Sequence, residues 1–185
     1  MVLIGFHAFT GNDYVSSFFG KGKQTCWKVL KSDPIYLDAF KSLGLNWELD
    51  SDIFNILESY VCKLYGKKHE ESVNEACYNI FKDTYENKNI IPDLSILPPC
   101  QDTLKLHCKC SNFSAAQLRL SSSNNINAPS PIGYGWNSDF SIEWVKTAFP
   151  EDVELLVIEN EEEIENFKDS TWESNSESES DSDSE

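Results

Sequence analysis

Gly20 and Gly22 flank a single lysine, and the apolar segments on either side of them cannot run through as one helix. Paired glycines reach backbone conformations with φ > 0 that other residues avoid, so the chain turns here. Ile4-Gly5-Phe6-His7-Ala8-Phe9-Thr10 leads into the turn, and Lys23-Gln24-Thr25-Cys26-Trp27-Lys28-Val29-Leu30 leads away from it. The pattern predicts a helix, a tight turn and a helix over residues 1–31. Backbone N–H groups at the start of the second helix then face outward, an arrangement that accepts phosphate. Gly20, Lys21, Gly22, Lys23 and Lys28 are accordingly the candidate contacts to a nucleic-acid backbone.

Charge is segregated along the chain. The net charge is −16 over 185 residues, but 15 acidic residues and one lysine fall within 151–185. Residues 1–150 hold 16 acidic and 14 basic residues and are nearly neutral, while residues 1–31 carry four lysines against Asp13 alone. A chain that is acidic overall therefore keeps a basic segment, and its low isoelectric point does not exclude nucleic acid.

The spacing Gly11-x-Asp13-Tyr14-x-x-Ser17-x-x-Gly20-x-Gly22 resembles, without a gap, the helix-hairpin-helix segment of flap endonuclease and XPG-type 5′-nucleases. In those enzymes the segment follows a PIN-like catalytic core and grips duplex DNA by its backbone. The run from His7 to Leu30, with weaker echoes through Trp136, is similar to a family of uncharacterised, mobile-element-associated animal proteins that carry a PIN-like nuclease tail. The resemblance implies that Asp13 is a ligand of an active-site divalent cation, Mg2+, in a complete nuclease site. A two-metal phosphodiester site needs several converging carboxylates, and the others lie in the core. The other reading of Asp13 is that it caps or closes a turn. The sequence departs from the nuclease pattern between and after the glycines, where Lys21, Lys23 and Gln24 replace an apolar residue and a Pro-Lys pair. Because the chain starts inside an apolar segment without a capping residue, it is expected to be the C-terminal part of a longer protein or the product of a truncated gene.

Helix signals continue after the hairpin. Ser32-Asp33-Pro34 caps a helix carrying Tyr36, Leu37, Phe40 and Leu43, with Gly44 at its C-terminus. Asp50-Ser51 opens a second, with Ile53, Ile56, Leu57, Tyr60, Val61 and Leu64 at helical spacing as far as Gly66. A third is expected at 70–84, with Val73, Ala76, Cys77, Ile80 and Phe81 inward, followed by a loop over 86–99. Another starts near Gln101, with Leu104, His107, Cys108, Ala115 and Leu118 on its apolar side and Ser111-Asn112 as a candidate interruption. Pro129, Pro131, Gly133 and Gly135 forbid regular structure, and Phe140, Ile142 and Trp144 alternate as in a short strand. Trp136 is expected to dock on the helical body.

The expected fold class is mainly α: a helix-hairpin-helix (1–31), a small helical body (32–120), a Pro/Gly loop with a minor β element (121–158) and a disordered acidic Ser-rich tail (159–185). His107-Cys108-Lys109-Cys110 raises a zinc reading that needs Cys77 and Cys100 as well. The cysteines lack the paired C-x-x-C spacing of structural zinc, so ordinary thiols and no resident cofactor are expected. No signal peptide and no apolar run of about 20 residues is present, which points to an intracellular, reducing compartment and no membrane partner.

These features lead to a catalytically incomplete nuclease-like fragment that binds duplex or single-stranded nucleic acid without sequence preference. The alternatives are an acidic-tailed helical interaction protein that engages a basic partner, and a metal-dependent nuclease only when joined to an N-terminal core.

Overall fold

Aspartate side-chain caps mark where two of the helices begin. In the computed structural model, which describes residues 1–88, 93–121, 127–139, 141–143 and 145, six helices follow one another. They are α1 (Val2–Phe9), α2 (Lys23–Leu30), α3 (Pro34–Ser42), α4 (Ser51–Leu64), α5 (Val73–Lys88) and α6 (Gln101–Leu120), with a 3-10 turn at Leu94–Ile96 before the last. The protein is mainly helical, as its periodicity predicts. Asp33 and Asp50 are the N-caps of α3 and α4, accepting from the backbone N–H of Ile35 and Asp52 at 3.1 and 2.7 Å. Residues 1–145 form one compact unit, and 146–185, including the expected tail, lie outside the described residues.

The core gathers round α1, which packs between α3 and α6. Phe9, Leu30, Phe40, Leu43, Leu57, Tyr60, Val61, Val73 and Leu104 are fully buried. Phe9 meets Phe40 and Tyr60 edge to face at 5.2 and 5.9 Å between ring centroids. Two backbone approaches fix how tightly the helices pack. A Cβ on Gly5 of α1 would stand 2.2 Å from the Phe40 carbonyl oxygen of α3, and one on Gly44 would stand 2.5 Å from the Ala115 backbone of α6.

Polar side chains complete the frame where helices end. Asn112 of α6 accepts from Gly44 N–H at 2.8 Å and donates to the carbonyls of Asn46 and Trp47 at 2.9 and 2.8 Å. Arg119 donates to the carbonyls of Leu43 and Lys41 at 2.9 and 2.7 Å, satisfying the C-terminal end of α3. Buried Glu58 of α4 accepts from Val73 N–H, the first amide of α5, at 3.0 Å and from the Gln101 amide at 3.1 Å. One carboxylate thus joins α4, α5 and α6.

Several expectations need correction. Ser111 and Asn112 do not interrupt α6; both are buried, and the Ser111 hydroxyl bonds back to the His107 carbonyl at 2.7 Å. Leu118 is exposed, because the buried face of α6 runs through Phe113, Ala115 and Ala116 instead. The third helix runs over 73–88, starting where Glu58 satisfies its first amide, and only Val73 and Ala76 of its predicted inner face are buried. The expected strand after Trp136 amounts to single bridges, Ile132 with Trp136 and Trp136 with Ile142; Phe140 and Trp144 lie outside the described residues. This arm docks on α6, where Tyr134 stacks on Phe113 at 5.0 Å and Trp136 lies 5.6 Å from the same ring.

The two glycines after α3 and α4 separate backbone strain from packing. Both have positive φ, +76° at Gly44 and +87° at Gly66, but no atom lies within 4 Å of a Cβ on Gly66. Gly66→Ala should cost about 1–2 kcal/mol for the left-handed conformation alone. Gly44→Ala should add about 1–3 kcal/mol of overpacking against α6. Urea unfolding of the two variants checks this, and equal midpoints would contradict the close α3–α6 approach.

Candidate nucleic-acid interface and the groove beside it

The connection between α1 and α2 is longer than the tight turn read from the glycines. It spans residues 10–22 and contains two turns, because Val15 and Phe18 within it are themselves buried. In the first turn Asn12 Oδ1 accepts from the N–H groups of Tyr14 and Val15 at 2.8 and 2.9 Å, and Asn12 N–H donates to the Val15 carbonyl at 3.0 Å. In the second, Lys21 N–H donates to the Phe18 carbonyl at 3.0 Å with Gly20 at φ +67°. Asn12 Nδ2 also donates to Ser114 Oγ at 2.9 Å, tying the loop to α6.

The second turn delivers the chain to α2 with Gly22 as N-cap, in extended conformation and without a side-chain cap. The first bond of the helix runs from Cys26 N–H to the Gly22 carbonyl at 3.1 Å, so the amides of Lys23, Gln24 and Thr25 precede the ladder. The first turn of α2 contains no acidic residue. Tyr60 of α4 donates to the Cys26 carbonyl at 2.9 Å, which fixes α2 to the core.

The candidate lysines have different surroundings. Lys21 Nζ sits 4.5 Å from the centre of the Tyr65 ring, a cation–π contact with the end of α4. Lys28 is exposed and forms no ion pair among the described residues. Lys23 is committed inward: its ammonium donates to the Gly11 carbonyl at 2.8 Å and to Thr10 Oγ1 at 3.1 Å. It neutralises the C-terminal end of α1 and braces the loop, unlike Lys28. The structure adds residues that lie far away in the sequence. The Lys21–Tyr65 contact sets the hairpin against the end of α4, where Lys63, Lys67 and Lys68 lie. Lys67 is paired with Asp83 at 2.7 Å, and Lys63 stands 5.3 Å from the Tyr36 ring.

Asp13 sits exposed at the tip of the first turn, and the turn is closed by Asn12 rather than by Asp13. Among the described residues no group of three or more His, Cys, Asp or Glu side chains is placed to hold a metal ion. Asp13 thus belongs to no such group among the described residues, where a two-metal site needs several converging carboxylates. The cysteines are likewise separate. Burial pushes the Cys62 thiol up to about 12 and Cys110 up to about 11, and holds Cys108 well above its ordinary value. Cys108 faces the core while Cys110 abuts the backbone of Gly135.

Beside the loop a groove of about 370 Å³ opens between Val15, Leu106, His107, Trp136 and Ile142. His107 organises its floor. The ring lies against Phe9 and Phe18, with centroids at 5.0 and 4.9 Å, and Nε2 is 2.9 Å from the Phe9 carbonyl. A carbonyl only accepts, so this assigns the proton of the neutral ring to Nε2 and leaves Nδ1 as an acceptor. Nδ1 faces Ser16 Oγ at 3.4 Å. Sequence reading placed His107 on the apolar face of its helix but had no means of pairing it with a serine 91 residues away.

A scan against protein-family models finds no match to this chain, and neither do searches of curated proteins and of solved structures.

Desolvation lowers the His107 pKa to about 4, with the Phe9 hydrogen bond opposing the shift only in part. The unfolded chain, at an ordinary value near 6.5, thus takes up the proton first as pH falls. Stability should drop between about pH 6.5 and 4 from this source, and His107→Gln should flatten that part of the profile. Proton NMR of the imidazole checks the cause, since a titration midpoint near 6.5 for His107 would contradict its enclosure.

Proposed function

We propose that this chain binds the phosphate backbone of nucleic acid, duplex or single-stranded, without reading sequence and without cleaving it. The observation that carries the reading is the N-terminus of α2. Three successive amides lie ahead of its hydrogen-bond ladder, no side chain caps them, and no acidic residue shares that turn. A phosphate oxygen satisfies such amides and is favoured by the helix dipole. Lys21 immediately precedes the position, Lys28 lies in the last turn of the same helix, and Lys63 and Lys68 near the end of α4 add positive charge on the side that Lys21 faces. The resemblance of residues 11–22 to the hairpin of XPG-type nucleases supports the same reading. Asp13 has no converging carboxylates among the described residues, so the reading is of a nuclease-like binding fragment rather than an active nuclease.

The acidic stretch 151–185 favours a second reading, in which the helical body is an adaptor and the tail engages a basic partner. The two differ in what happens when residues 159–185 are deleted. If the hairpin binds nucleic acid, removing negative charge should raise affinity; if the tail is the binding element, partner binding disappears with it.

Fluorescence anisotropy of a labelled duplex across a salt series tests the proposal. Affinity should fall within the weak non-specific range, with Kd about 10⁻⁴ to 10⁻⁶ M at physiological salt. The pair Lys21→Glu and Lys28→Glu should weaken binding, and each lost phosphate contact should reduce the slope of log K against log salt by about 0.9. Lys23 stays unchanged because it supports the loop. Absence of binding at low salt, or unaltered binding by the double variant, overturns the proposal.

A further inference from the structure

The groove beside the loop brings together a serine, a histidine and an acceptor in a line that the backbone-binding role does not use. Ser16 Oγ lies 3.4 Å from His107 Nδ1, and His107 Nε2 lies 2.9 Å from the Phe9 carbonyl. The Phe9 carbonyl fixes which nitrogen faces the serine and remains as the acceptor for the opposite N–H when the ring is protonated. The ring is also held between Phe9 and Phe18, so it cannot turn away without disturbing the core. Val15, Leu106, Trp136 and Ile142 line the adjoining space of about 370 Å³. Ser16 is exposed at its edge.

We propose that Ser16 is a nucleophile activated by His107, and that the groove takes the apolar acyl part of a small ester. The Ser16 oxygen attacks the carbonyl carbon, and its proton passes to His107 Nδ1 as the new C–O bond forms. Collapse of the tetrahedral species breaks the bond to the alkoxy group, which departs with its electron pair and takes that proton from Nδ1. Water then releases the acid by the same two transfers and restores the free hydroxyl. A separation of 3.4 Å is long for a working hydrogen bond, but nucleophile–base pairs are commonly looser before substrate binds.

Ser17 is an internal control, being adjacent in sequence, exposed and without a histidine partner. The test is reaction of the full chain with an alkyl fluorophosphonate, read by peptide mass spectrometry. Here the Ser16 oxygen bonds to phosphorus, fluoride leaves with its electron pair, and the hydroxyl proton goes to Nδ1. Modification of Ser16 should exceed that of Ser17 by about 10-fold or more, short of the about 10²–10⁴ of a base matched to the working pH, because burial disfavours the protonated His107 ring. Ser16→Ala should abolish the adduct, and His107→Gln should bring the Ser16 rate down to that of Ser17. Equal modification of Ser16 and Ser17 in the unaltered chain, or none at either, overturns the proposal and leaves the Ser16–His107 contact as a tether for the loop. This comparison does not depend on the folding of any variant.

Discussion

Burial of Phe9 at the end of α1 is the interaction from which the rest of the structure hangs. Its ring is fully buried and touches Phe18 of the loop, Phe40 of α3, Tyr60 of α4 and His107 of α6. Covering such a side chain contributes about 1.5–3 kcal/mol, and each favourable aromatic pair adds about 0.5–1.5 kcal/mol. Its position has consequences beyond energy. Its carbonyl receives the His107 proton, and the next two residues receive the Lys23 ammonium. The loop that presents α2 is therefore braced from the core outward, and the N-terminal 31 residues are part of the helical body's packing.

Much of the fold was legible in the sequence because it is set locally. Asp33-Pro34 and Asp50-Ser51 start helices where their side chains reach the amides two residues on, and the apolar period of α4 needs nothing distant. The residues that lock helix to helix were not legible. Glu58, Asn112 and Arg119 are polar side chains in helical patterns, where periodicity names no partner for them, and Asn112 read only as a candidate interruption. Their partners include backbone groups at helix ends 15, 68 and 76 residues away, which only the assembled fold brings within reach. Docking of Trp136 was anticipated from its rigid turn, and Phe113 is what receives it.

The candidate site divides in the same way. The glycines correctly mark the entry to α2, but the loop before them is shaped by the buried anchors Val15 and Phe18, which look like ordinary apolar residues in sequence. Proximity in sequence made Lys23 look equivalent to Lys21 and Lys28. The fold instead turns Lys23 toward α1 and recruits Tyr65, with the lysines around it, from another helix. The cluster at Lys63, Lys67 and Lys68 was the signal that could have revealed this. Asp13 resembles the motif residue in type and spacing, but among the described residues it belongs to no group of three or more His, Cys, Asp or Glu side chains.

What a phosphate backbone would meet is a helix start with free amides, and those amides can be observed one by one. Titration of ¹⁵N-labelled protein with a short DNA duplex at low salt therefore tests the account most directly. The amide resonances of Lys23, Gln24 and Thr25 should move most, together with residues 63–68 at the end of α4. Unchanged resonances at 23–25, while other parts of the chain respond or none do, would contradict it.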